Sequence, residues 1–86
     1  MKIQVRFYAG LRYRVGVDRL PLDLPEGATV EDVLDALVKM FPDKLGRLKK
    51  LLGYSYWVAK NGLQVSLTEE LKEGDEIVIF PPISGG

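Results

Sequence analysis

Val30, Val33, Leu34, Leu37, Val38 and Phe41 fall at i, i+3, i+4, i+7, i+8 and i+11. At 3.6 residues per turn that spacing makes a single apolar stripe down one side of a helix. Thr29 before it, with Asp32 at the third helical position, forms a capping-box pattern, and Pro42 is expected to stop the helix. Glu31 and Asp32 sit at the positive end of the helix dipole and Lys39 near its negative end. Met40 lies off the centre of the stripe and reads as its packing edge. A helix of this kind needs an apolar face to lie on, and the rest of the 86-residue chain offers strands.

The strands announce themselves by alternation. Ile3, Val5 and Phe7 point one way and Gln4, Arg6 and Tyr8 the other, the pattern of a half-buried strand. Leu11–Val15, bracketed by Gly10 and Gly16, reads as a turn or loop. Leu20, Leu22 and Leu24 alternate with Pro21, Asp23 and Pro25, and the two prolines place that strand at an edge because they cannot donate to a ladder. After the main helix, Lys44–Leu52 suggests a second, shorter helix with Leu45, Leu48, Leu51 and Leu52 inward, weakened by Gly46. Its four basic residues read as a solvated helix face or an acidic docking patch.

Tyr54–Lys60 is aromatic and β-branched, and Asn61-Gly62 is a hairpin turn signal with Leu63-Gln64-Val65 returning. Thr68–Leu71 is expected to form one helical turn and Lys72–Asp75 a polar reversal. Adjacent Glu69 and Glu70 would point apart there, so they do not read as a catalytic pair. Glu76-Ile77-Val78-Ile79-Phe80 then forms the last strand. With Ile77 and Ile79 under the helix, Val78 and Phe80 point away together with Tyr8, predicting an exposed apolar patch of the kind that marks partner sites.

The chain closes on Pro81-Pro82-Ile83-Ser84-Gly85-Gly86. Two prolines favour polyproline II and make a stiff base, so residues 81–86 would reach on the order of 19 Å from a domain formed by residues 1–80. Gly85 and Gly86 lack side chains and fit slots too narrow for other residues. With nothing after Gly86, its carboxylate is expected to be free and to be the working group. Fixing Ile83 to Gly86 in a groove costs about 1–2 kcal/mol per residue, which the two prolines reduce in advance.

Composition narrows the chemistry. Twelve basic and twelve acidic residues balance, so no global basic field recommends nucleic acid. Cysteine and histidine are absent, which removes disulfides, Cys/His metal sites, a cysteine nucleophile and the usual general base. No catalytic or metal-ligating set is expected within the chain. Apolar runs fall short of a membrane span and the amino terminus lacks a signal-peptide core, so a cytoplasmic location is expected.

The order strand, strand, long helix, short helix, hairpin, turn, strand makes an α+β layer with the helix across one face of a sheet. That order resembles the ubiquitin-like β-grasp, with a mixed sheet, one main helix and a flexible C-terminal Gly-Gly tail. Phe7-Tyr8-Ala9-Gly10-Leu11-Arg12, Asn61-Gly62, Gly74-Asp75-Glu76 and Phe80-Pro81-Pro82-Ile83-Ser84-Gly85-Gly86 resemble the small subunits of molybdopterin synthase.

The resemblance implies that an adenylating, E1-like enzyme uses ATP to activate the Gly86 carboxylate and that a sulfur donor converts it to a thiocarboxylate. The tail, recognised through Pro81, Pro82, Ile83, Ser84 and Gly85, then enters the synthase large subunit and gives its sulfur to the pterin precursor. No cofactor would be bound by the chain itself, and Tyr8, Arg12, Val78 and Phe80 would touch partners. In a chain without cysteine, only the C-terminal carboxylate could carry sulfur. Tyr13 and Lys60 depart from the family pattern, which commonly has an acidic and an apolar residue there. Three other readings stay open at this point: a sulfur carrier for thiamine synthesis or tRNA thiolation, a ubiquitin-like modifier of other proteins, and an interaction domain that never reacts.

Overall fold

The computed structural model describes residues 1–81. Five strands, β1 (Lys2–Phe7), β2 (Arg19–Asp23), β3 (Trp57–Lys60), β4 (Leu63–Gln64) and β5 (Glu76–Phe80), form a mixed sheet in the order β2-β1-β5-β3-β4. β1 and β5 run parallel at the centre, and the other pairings are antiparallel. The helix α2 (Val30–Met40) lies on one face. This is the α+β, ubiquitin-like β-grasp arrangement that the order of elements predicts.

The stripe explains the packing. Val30, Val33, Leu34 and Leu37 are fully buried against Val5, Ile77 and Ile79, one continuous core between helix and sheet. At the start of α2 the expected capping box is present: Asp32 Oδ2 accepts the Thr29 N–H at 2.8 Å, and the Thr29 side chain accepts the Asp32 N–H. β2 is an edge strand, as its prolines require, with Leu20 and Leu22 opposite Val5 and Ile3.

Three local expectations are corrected. Leu11–Val15 is not a loop but part of a short helix, α1 (Gly10–Val15). Leu11 and Val15, four residues apart, both bury, while Gly16 at φ 92° caps the end and donates its N–H to Arg12 O. The segment 44–52 is two single turns, α3 (Pro42–Leu45) and α4 (Leu48–Leu51), rather than one helix. Pro42, which ends α2, starts α3 at a position where a missing N–H costs nothing. Thr68–Leu71 is not a helical turn: Thr68 sits in a turn with Leu67, and Glu70 makes an isolated β-bridge to Thr29. Its neighbourhood is set by α2, whose first N–H groups lack helical partners. Val30 N donates to Glu69 O and Glu31 N to Leu67 O, both at 3.0 Å, while Leu71 N donates to Ala28 O at 2.9 Å. Capping the main helix outweighs one weak turn of local helix. Among the described residues, no helix is long and apolar enough to cross a membrane.

Candidate functional site

β5 divides its apolar residues between two faces. Ile77 and Ile79 are completely buried beneath α2, and Val78 and Phe80 are half-buried on the outer face. Parallel pairing sets Arg6 beside Val78, and Tyr8 N donates to Ile79 O at 3.2 Å just beyond the end of β1. On the other side the antiparallel register sets Ala59 opposite Val78 and Trp57 opposite Phe80. Tyr8, Ala59, Gln64, Val78, Phe80 and Pro81 line an open groove of ≈ 720 Å³ where the chain leaves the sheet. Tyr8 is 45% exposed, and the Arg6 guanidinium stacks over its ring at 5.3 Å. Arg6 also pairs weakly with Glu76 at 3.8 Å.

The structure thus brings Tyr8, Val78, Phe80 and Pro81 together and leaves Arg12 out. Arg12 lies on α1, where its guanidinium sits over the Tyr13 ring at 5.1 Å and donates to the Tyr13 hydroxyl at 3.2 Å. It borders a separate depression with Val17 and Arg19. Pro82, Ile83, Ser84, Gly85 and Gly86 lie outside the described residues. Sequence reading missed Ala59, Gln64 and Trp57. The Asn61-Gly62 turn pairs β3 with β4, yet only the long-range pairing of β3 with β5 carries those residues to the groove.

One polar cluster fixes where β5 begins. Asn61, at φ 50°, donates from Nδ2 to Asp75 Oδ1 at 2.9 Å and accepts the Glu76 N–H on Oδ1 at 2.9 Å. Asp75 Oδ2 accepts the Lys72 N–H at 2.7 Å. Burial of Asp75, 8% exposed, pushes its carboxyl up. The hydrogen bonds from Asn61 and Lys72 N and the charges of Lys60 and Lys72 outweigh burial and hold the carboxyl below its usual range. Lys60, directed to the helix side opposite Ile77, meets Glu69 Oε2 at 2.6 Å and Glu70 O at 3.2 Å. The hydrogen bond to Glu69 outweighs burial and raises the Lys60 pKa.

The described residues thus form an open, mostly apolar groove where β5 ends. Residues 5–86 match the model of the ThiS family. The chain belongs to the ThiS family. Small archaeal modifier protein 1 of Haloferax volcanii is 37% identical, the match covering 94% of this chain and 97% of that protein. A crystal structure of SAMP1 from the same organism superposes with a TM-score of 0.82 at 32% identity, over the whole of both chains. A molybdopterin synthase sulfur carrier subunit of Chlamydomonas reinhardtii is 31% identical over the full length of both proteins. Similar too, with a TM-score of 0.62 at 28% identity over all of both chains, is a chain in a complex of subunits 1 and 2 of the molybdopterin-converting factor from Helicobacter pylori. Relatives of this chain thus include both a sulfur carrier subunit and a small archaeal modifier protein.

Proposed function

We propose that this protein carries sulfur on Gly86 for molybdopterin synthesis, as the small subunit of a molybdopterin synthase. The observation that supports the reading most is the groove of Tyr8, Val78 and Phe80 at the root of a chain ending in Gly-Gly. A partner gripping that groove receives residues 82–86 at a fixed origin.

The carboxylate is a poor acyl donor. A partner adenylating enzyme transfers AMP from ATP to the Gly86 carboxylate and releases pyrophosphate. Hydrosulfide from a sulfur donor then attacks the acyl carbon and expels AMP, which keeps one former carboxylate oxygen. The product is a thiocarboxylate. In the synthase large subunit the thiocarboxylate sulfur forms a bond to carbon of the pterin precursor and water cleaves the acyl C–S bond, which leaves sulfur on the precursor and returns the Gly86 carboxylate, with acid-base work done by the large subunit's side chains. This chain's residues bind and position; none takes up a proton in the reaction.

The test is the intact mass of the chain after incubation with ATP, a sulfur donor and the adenylating enzyme of the same organism. A gain equal to one oxygen exchanged for sulfur, absent when Gly86 is deleted, is the expected result. No gain, with the enzyme active on a control carrier, would overturn the reading. The 37% identity to a small archaeal modifier favours a second reading, joining of Gly86 to lysines of other proteins. Heavier species on immunoblots of cell extract that vanish on deletion of Gly86 would show it.

A further inference from the structure

The groove at the chain exit does not end at the β3–β4 hairpin. Gln64, on the outer face opposite Ala59, lies on its rim and equally on the rim of a second depression of ≈ 420 Å³. That depression is walled by Leu52, Trp57, Val65 and Leu67, between the turn after α4 and the segment after β4. Trp57 joins the two, because it stands opposite Phe80 in the β3–β5 register and also walls the second depression. An apolar band thus runs from Pro81 through Phe80 and Trp57 to Leu67.

Its electrostatics say what fits it. Charged residues make up 28% of the chain, yet no charged side chain lines either depression. On the outer face Arg6 stacks over Tyr8 at the groove and pairs weakly with Glu76 at 3.8 Å, and neither residue lines the second depression. A charged group brought to the second depression would lose water and find no opposite charge among the residues that line it. An uncharged apolar side chain would lose only unfavourable contact with water.

We propose that the Trp57–Leu67 depression is a second anchor point of the tail-binding partner, taking an uncharged, apolar side chain from the protein that receives the tail. The inference rests on the carrier reading above, since that reading supplies the recipient. Continuity with the groove at the chain exit assigns both depressions to one partner surface. Two separated anchors on a small domain also fix the rotation of the partner about β5, which one groove would leave free.

Ser66 is exposed and borders the second depression but not the groove. The experiment titrates the full chain, carrying fluorotryptophan at its single tryptophan, Trp57, with the synthase large subunit of the same organism. Calorimetry reads affinity and fluorine NMR reads Trp57. Ser66→Glu and Ser66→Lys are each expected to weaken binding about tenfold or more with unchanged melting temperature. The Trp57 resonance is expected to move on binding, and raising salt is expected to change affinity less than about twofold. Affinities of both variants within about twofold of wild type, or a bound complex with an unmoved Trp57 resonance, would overturn the second anchor. Weakening by one charge and strengthening by the other would show a charged occupant and overturn the uncharged one. Movement of the resonance with concentration of the chain alone would assign the depression to a second copy and overturn the proposal. Failure of the wild type to bind would instead overturn the carrier reading beneath it.

Discussion

Asn61→Gly isolates the cluster that sets the start of β5. Glycine accepts the φ of 50° at this position, so the backbone is not strained and only the side chain is lost. Two hydrogen bonds go with it, Nδ2 to the Asp75 carboxylate and Oδ1 from the Glu76 N–H. A bond to a charged group contributes about 1.5–3 kcal/mol and a neutral one about 0.5–1.5. Adding a glycine to the unfolded chain costs roughly 0.4–1 kcal/mol more. The expected loss is therefore about 4 kcal/mol, or roughly 16–32 °C in melting temperature for a domain of this size. Urea unfolding followed by Trp57 fluorescence measures it. Asp75→Ala and the double variant complete a cycle, in which the Asn61–Asp75 bond should appear as a coupling of about 1.5–3 kcal/mol. Coupling below about 0.5 kcal/mol would show that the two side chains act independently, and the cluster would then not be what registers β5.

The remaining expectations test other parts of the fold. Asp75 binds its proton less tightly folded than unfolded, so its contribution to stability is present above the ordinary value of 3.8 and is lost as pH falls through the lower folded value. Acid denaturation midpoints should show that loss in the wild type and not in Asp75→Ala. Gly46→Ala should destabilise by about 1–3 kcal/mol, because its Cβ would run into the Pro42 carbonyl oxygen; a gain, as helix propensity alone would suggest, would refute the close approach. Leu37→Ala, at a fully buried site on α2, should cost about 2–5 kcal/mol by chemical denaturation. Lys60 has the opposite sign from Asp75: its raised pKa means that the stability it adds is present below 10.5 and lost as pH rises through the folded value. Lys60→Met should make the alkaline limb of the pH–stability curve shallower, leaving the part that Lys49, also raised by its bonds to Asp35 and Glu31, supplies.

Much of the architecture was legible because it depends on periodicity. The α2 stripe and the alternation of β1 and β2 have periods that only a helix and strands satisfy, and each buried position follows from them. What failed was short and decided by long-range contacts. α1 has two inward residues in six, too few for a periodic signal, and the glycines around it look the same whether they bracket a loop or cap a helix. The segment 68–71 contains residues that suit a helical turn, yet its carbonyl neighbours are claimed by the N–H groups of α2. No window of sequence contains both partners. The candidate site divides the same way. Val78 and Phe80 follow from alternation along β5 once one face is known to be buried. Ala59, Gln64 and Trp57 required knowing that β3 lies beside β5. Arg12 was grouped with them through a resemblance of motif, and the turn of α1 carries it to a different depression.

Central placement of β5 makes stability and partner recognition separable by mutation. Its inner residues belong to the core, its outer residues line the groove, and its two neighbours hold it by parallel and antiparallel bonds. A cavity under α2, as in Leu37→Ala, weakens the fold without altering the β3–β5 register, so the folded fraction should retain its partner affinity. Loosening the Asn61–Asp75 cluster acts at the hairpin and at the first residue of β5 together. Ala59 and Gln64 stand two and three residues from Asn61 on the groove wall, so their spacing from Val78 depends on that cluster. Asn61→Gly should therefore lower both stability and the partner affinity of the folded fraction. Equal effects of Asn61→Gly and Leu37→Ala on affinity, after correction for unfolded protein, would mean that the groove's shape does not depend on the hairpin lock.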